Sequence, residues 1–177
     1  MTAVAWSLTW EDELDDSDRD ELAALLVRCF PRARTLFVGA LPEARVVGRV
    51  HGRVVAHLGI LRRFLRLPAA DRSLLVGDVG LVGVDPDRQG RGLGRELLGA
   101  AARELHRLEL PFGFLTCGHH VVRFYAGGGW VQVPNPARMI GSNGRPEVYG
   151  AASMVLPVRA GMDRWPSGLL DRNGFEV

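Results

Sequence analysis

Apolar and polar positions along the chain fall into short runs of alternating or helical period, which divide it into strands and helices. Residues 4–10 alternate enough to predict an opening strand. Ser17 then reads as a helix cap, with Asp20 placed for a capping-box contact. Leu22, Leu25, Leu26 and Cys29 share one side of a helix that must stop before Pro31. Residues 44–67 are rich in Val and Leu on either side of His51-Gly52, which predicts two strands joined by a hairpin turn, the second one long. Residues 73–84 predict a further strand, stopped by Asp85-Pro86-Asp87. A glycine-rich turn then opens a helix carrying Leu93, Leu97, Leu98, Ala101, Leu105 and Leu108 at helical spacing.

After Pro111 the pattern shortens. Residues 112–117 predict a buried strand, 121–126 a short helix ending at three glycines, and 130–133 another strand. A loop over 134–145 precedes a last strand at 149–156, and the tail from Trp165 onward reads as mostly irregular. Strands alternating with helices predict an α/β protein, and 177 residues suit a single domain spanning 1–177.

Composition narrows the function classes. With 47% hydrophobic and 24% charged residues the chain is a folding one, and a net charge of +2 gives no reason to expect nucleic acid. All 22 basic side chains are Arg, so chemistry through a lysine Schiff base or lysine general base is excluded. Cys29 and Cys117 lie far apart and form no paired motif, which predicts no structural metal site and suits a reducing cytoplasm. The acidic start lacks the pattern of an export signal, and charges interrupt every apolar run before it reaches membrane-spanning length.

The segment Asp87-Arg88-Gln89-Gly90-Arg91-Gly92-Leu93-Gly94 sits between a strand and a helix start, where unpaired N–H groups and the helix dipole favour a bound phosphate. It matches neither the Walker loop nor the dinucleotide-binding fingerprint. It does resemble the pyrophosphate-binding segment of the GNAT acetyltransferases, whose spacing of Gln or Arg, then Gly, then Gly or Ala is met by Gln89, Gly92 and Gly94. Phe124-Tyr125-Ala126-Gly127-Gly128-Gly129-Trp130 resembles that family's second signature. Trp6 to Glu11, Val55 to Phe64 and Trp165 to Gly174 are similar to segments of the rhizobial nodulation N-acyltransferases. The related aminoglycoside 2'-N-acetyltransferases share the strand, the loop and the Gly-aromatic turn.

The resemblance implies a mixed, splayed sheet of about seven strands flanked by helices. It implies acetyl-CoA bound by Gln89, Gly90, Arg91, Gly92, Leu93 and Gly94, with the backbone of Val82, Gly83 and Val84 along the pantetheine arm, and Tyr125 as general acid to the departing sulfur. The direct reading of the residues adds Asp78, an acid in an apolar strand, either as a proton acceptor and substrate contact or as the structural partner of a strand Arg, with His119 and His120 as competing bases and substrate contacts. Arg62 and Arg63 read as solvent-facing strand residues. The glycine-rich loop favours acetyl-CoA over a carrier-protein donor, whereas Gly80 stands where the aminoglycoside enzymes carry an acid. The expected function is acetyl transfer from acetyl-CoA to an amine of an amino sugar, of aminoglycoside type, without a metal. The alternatives are a longer acyl chain placed on an amino-sugar oligomer, as in the nodulation enzymes, or a non-catalytic CoA-binding protein. Loops 32–42 and 134–145 are expected to select the acceptor, and the resemblance implies a homodimer.

Overall fold

The computed structural model describes residues 3–31 and 39–177, so most of the expected acceptor loop 32–42 lies outside the described residues. The chain opens with strand β1 (Ala5–Trp10) and helix α1 (Asp16–Cys29), followed by β2 (Ala44–Val50), β3 (Arg53–Leu67) and β4 (Arg72–Val84). Helix α2 (Leu93–Arg107), β5 (Phe112–Cys117) and the short helix α3 (Val122–Ala126) come next. Then follow β6 (Val131–Val133), β7 (Ala137–Ile140), β8 (Pro146–Val148), β9 (Ala152–Pro157) and β10 (Leu170–Phe175). The sheet therefore has ten strands among the described residues rather than about seven.

Local chemistry fixes the element ends. The cap of α1 is Asp15, not Ser17: its side chain accepts the Asp18 N–H at 2.8 Å, and as a charged acceptor at a helix start it also gains from the dipole. The helix stops at Cys29, immediately before Phe30, the residue whose helical conformation Pro31 disfavours. The hairpin at His51-Gly52 forms as its sequence demands, with both residues at positive φ. In α2, Leu93, Leu97, Leu98, Ala101 and Leu105 are buried on one face. Each buried leucine contributes about 1.5–3 kcal/mol relative to exposure.

The sheet runs β6-β9-β5-β4-β3-β10-β7-β8. Strand β3 is long enough to serve three neighbours: it pairs with β4 along one edge, while the opposite edge pairs first with β2 and then, at Arg66, with β10. Strand β1 continues outward from β2. One face is covered by α2, where Leu97, Leu98 and Leu105 pack on Leu58, Ile60 and Met154. The other carries α1, where Leu22 and Leu25 pack with Val47 and Val54. A further cluster under the C-terminal strands joins Leu65, Val76, Phe112, Phe114 and Leu170, with the Trp165 ring edge-on to Phe112 at 5.0 Å.

The tail read as irregular contains β10, and loop 134–145 contains β7. Strand β10 (LDRNGF) is charged, and its charges are buried only because partners elsewhere neutralise them.

Candidate active site

Parallel strands β4 and β5 pair only at Gly77 with Gly113 and at Asp78 with Phe114. Beyond that point they part, and a cleft opens between residues 79–84 and 115–117. Two features of β4 shape it. The β3–β4 register slips between His57 and Gly59, so Leu58 faces both Leu81 and Val82, and Leu81 adopts φ +52°. This is a β-bulge, which bends the strand and releases backbone groups from the ladder. One residue earlier, Gly80 has the backbone of Val177 lying where any side chain would stand. The C-terminal residue therefore occupies the place that a side chain at position 80 would fill.

The cleft widens into a cavity of about 940 Å³. Its floor is Val79, Gly80, Leu81 and Val82. One wall is apolar, made of Leu14, Leu22, Ala23, Leu26 and Phe30 on the α1 side, and the other carries Thr116, Tyr125, Met139, Tyr149 and Glu176. Four carboxylates line it: Glu11, Asp20, Glu147 and Glu176. A volume of this size is at the upper end for a small-molecule site.

Tyr125 lies on α3 and reaches the cavity with little exposure. Burial first, then the neighbouring Cys117, Glu176 and Tyr149, push its phenol well above its usual range, so it holds its proton at neutral pH. That is the state a proton donor needs.

Asp78 is corrected as a proton acceptor. It is fully buried, and both oxygens are taken by Arg172, Nε to Oδ2 at 3.1 Å and Nη2 to Oδ1 at 3.0 Å, with Arg63 Nη1 at 3.4 Å. A carboxylate so enclosed does not reach a substrate amine. Arg63 is partly buried and turned toward Asp78 rather than out to solvent, while Arg62 pairs with Glu43 at 2.8 Å and overlies the Trp10 ring. His119 and His120 are exposed on the turn after β5 and are not among the residues lining the cavity. Of the carboxylates lining the cavity, Glu176 stands on the same wall as Tyr125, hydrogen-bonded by the Thr116 hydroxyl and 3.5 Å from Arg172 Nη1.

Of the three pantetheine residues, Val82 lines the cavity. Gly83 is packed against the Cys29 side chain, and the Val84 carbonyl accepts from the Cys29 thiol at 3.4 Å and from Gln89 Nε2 at 3.1 Å. The Cys29 thiol is pushed up to about 11 by burial and then Asp85, against the opposing Arg28, so it stays a neutral packing group. Gln89 thereby anchors the loop to the strand. Gly90 and Gly92 take φ +73° and +88°, conformations that side-chain-bearing residues rarely adopt. Gly92 caps α2 through its carbonyl, which accepts from Arg95 and Glu96, and at Gly94 a Cβ would stand 2.7 Å from the Phe124 ring. The first N–H groups of α2, at Leu93 and Gly94, precede its internal bonds and face outward with the exposed Arg91 beside them. A pyrophosphate fits this cradle by charge and by backbone donors.

The family model described as nodulation protein A matches residues 1–177, the whole chain. The chain belongs to this family. Similar members include nodulation protein A of Rhizobium sp. (strain N33), 37% identical with 98% of each chain covered, and that of Rhizobium leguminosarum bv. trifolii, 33% identical with the same coverage. Among solved structures, the GNAT family N-acetyltransferase YhbS of Escherichia coli in complex with CoA superposes with TM-score 0.66 at 17% identity, covering 96% of this chain and 91% of that one. Escherichia coli ElaA gives 0.63 at 18%, covering 87% and 99%. These structures speak to the fold, which is the GNAT fold. Membership of that family and this fold together support an N-acyltransferase.

Sequence reading missed Glu176, Arg172, Arg45 and His57. The last had a signal: His57 interrupts the apolar run of β3 as Asp78 interrupts β4, and the same argument applied to both. Glu176 had none, since its place depends on where β10 delivers it.

Proposed function

We propose that the chain transfers an acyl group longer than acetyl from acyl-CoA to the free amine of an amino-sugar oligomer. The observation that carries this reading is the apolar wall of Leu14, Leu22, Leu26 and Phe30 beside the parted strands. An acyl chain laid along it gains about 0.8 kcal/mol for each methylene removed from water, while an acetyl group leaves the wall unused. The family supports the same choice, because the nodulation enzymes are those for which the resemblance implies a fatty acyl donor and a chitin-type acceptor. An acetyl donor with an aminoglycoside acceptor, expected from the glycine-rich loop although Gly80 departs from the aminoglycoside enzymes, gives way to it. Asp20, Glu147 and Glu176, the lining carboxylates other than the Glu11 held between Arg19 and Arg45, suit an acceptor that arrives as ammonium. Reaction in the cytoplasm and a homodimeric state belong to this proposal and rest on the sequence; sizing chromatography tests the latter against a 19.4 kDa monomer.

In this reading the ammonium gives a proton to Glu176, and the free amine attacks the thioester carbonyl. The tetrahedral intermediate then expels the CoA thiolate, which takes its proton from Tyr125; the second proton of the amine nitrogen passes to the tyrosinate, leaving amide, CoA thiol and one proton on Glu176 for release to water. Glu176→Gln and Tyr125→Phe are each expected to lower kcat by roughly 100-fold, the usual contribution of one positioned acid or base. Unchanged turnover in either removes that residue from the scheme.

The deciding experiment is thiol release across acyl-CoA donors from acetyl to long-chain, with chitosan oligomers and aminoglycosides as acceptors. Preference for long donors and chitosan oligomers is expected. Preference for acetyl-CoA with an aminoglycoside restores the reading that has been set aside, and CoA binding without release from any amine leaves a binding protein.

A further inference from the structure

On the α1 side of the sheet a line of polar contacts crosses four strands. Glu11, just past β1, accepts from Arg45 Nε of β2 at 2.6 Å, and Arg45 Nη1 reaches His57 Nε2 of β3 at 3.1 Å. His57 Nδ1 in turn lies 2.9 Å from the Leu81 carbonyl of β4. Arg19 of α1 holds the other carboxylate oxygen of Glu11 at 2.9 Å. His57 has no exposed surface and Arg45 only 7%.

The proton positions along this line are forced. A guanidinium has only donors, so Nε2 must accept. The neutral imidazole then carries its proton on Nδ1 and donates it to the carbonyl, which can only accept. Burial, then Arg45, hold the ring far below its usual range, at about 3, against the opposing bond to Leu81.

The final acceptor belongs to the bulge. A trans peptide directs its C=O and N–H to opposite sides, so a bond that draws the Leu81 carbonyl toward β3 turns the Val82 N–H away from β3. That is the side from which β5 has parted, and the β3–β4 pairing passes over both Leu81 and Val82. Leu81, Val82, Glu11 and Arg45 all line the cavity. If strand cohesion were the whole purpose, apolar side chains would achieve it without burying a guanidinium and an imidazole.

We propose that Glu11, Arg45 and His57 form a positioning chain for acyl transfer, clamping the Leu81–Val82 peptide so that the Val82 N–H meets the carbonyl oxygen of the bound thioester. Negative charge develops on that oxygen as the amine adds, and a donor fixed in advance stabilises it with no reorganisation. His57 acts through the peptide and touches no substrate. The inference rests on acyl transfer in this cavity and is indifferent to acyl length and to the acceptor.

Two measurements on the full chain test it. The first follows the Val82 amide by nitrogen-15 NMR with CoA and with a CoA thioether that carries a ketone in place of the thioester. Loop amides 90–94 are expected to move with both ligands, and Val82 only with the ketone. Loop shifts with an unmoved Val82 overturn this inference alone, whereas no shift anywhere overturns the acyl-CoA reading as well. The second compares His57→Gln, which can still accept from Arg45 but offers no donor at Nδ1, with His57→Asn, whose amide N–H replaces Nδ1–H. His57→Gln is expected to lower kcat roughly 100-fold, the size of one lost oxyanion donor, with KM for acyl-CoA unchanged. His57→Asn is expected to recover most of that loss. Equal losses in both variants, or a loss confined to KM, overturn the proposal, and if neither variant folds the wild-type spectra decide by themselves.

Discussion

A buried imidazole facing a guanidinium stays neutral wherever the protein stays folded, and this has a consequence for acid stability. His57 titrates near 3 in the folded chain, whereas an unfolded histidine titrates near 6.5. Above about pH 6.5 neither state binds the proton and His57 adds no pH dependence. As pH falls below that value the unfolded chain takes up a proton that the folded chain refuses, so stability drops by about 1.4 kcal/mol per pH unit. The window from pH 6 to 4.5 is the cleanest, because Glu43, lowered by its bonds to Arg62, adds its own loss only as pH falls further, through its folded value. The other four histidines are exposed. Denaturant titrations across that window should show the slope in the wild type and its near absence in His57→Asn. An equal slope in both would assign it to other groups.

At the scale of elements, what was legible in the sequence is what neighbours in the sequence decide. The His51-Gly52 hairpin, the apolar stripe of α2 and the loop from Gln89 to Gly94 depend on turn chemistry and period, and each forms where its pattern lies. Tyr125 was legible for the same reason, being carried by a local signature. Strand β10 was not, because Asp171, Arg172 and Asn173 read as a polar turn until Arg138 and Asp78 are brought beside them. Strands β7 and β8 were hidden by brevity, four and three residues between Pro, Asn and Gly. Ser17 and Asp15 were both competent caps, and only geometry chose between them. Within the site, Asp78 was rightly singled out as an unusual acid, but the sequence could not supply the arginine that encloses it. Glu176 and the line from Glu11 to His57 exist only across strand register.

For the molecule as a whole, the pair between Asp78 and Arg172 joins the strand that opens the cleft to the strand that closes the sheet. Arg172→Met leaves a fully buried carboxylate beside Arg63 alone, and such a loss costs about 3–5 kcal/mol. Against a total of about 5–15 kcal/mol for a domain, that brings the variant close to unfolding. Asp78→Leu combined with Arg172→Met should recover much of the loss, as measured by denaturant midpoint, since the two leave no charge of the pair behind. A loss below about 1 kcal/mol in the single variant would mean that this pair is not the joint.

The separation of those two residues also sets an order in time. Arg172 is made ninety-four residues after Asp78, and β10 joins the middle of a sheet whose other central strands have already left the ribosome. Until it arrives, Asp78 has no arginine from β10, the lower edge of β3 is open, and Glu176 is not yet in the cleft. The nascent chain can thus complete the loop from Gln89 to Gly94 while still lacking Glu176, so that in the proposed mechanism the capacity to hold a donor matures before the capacity to use it.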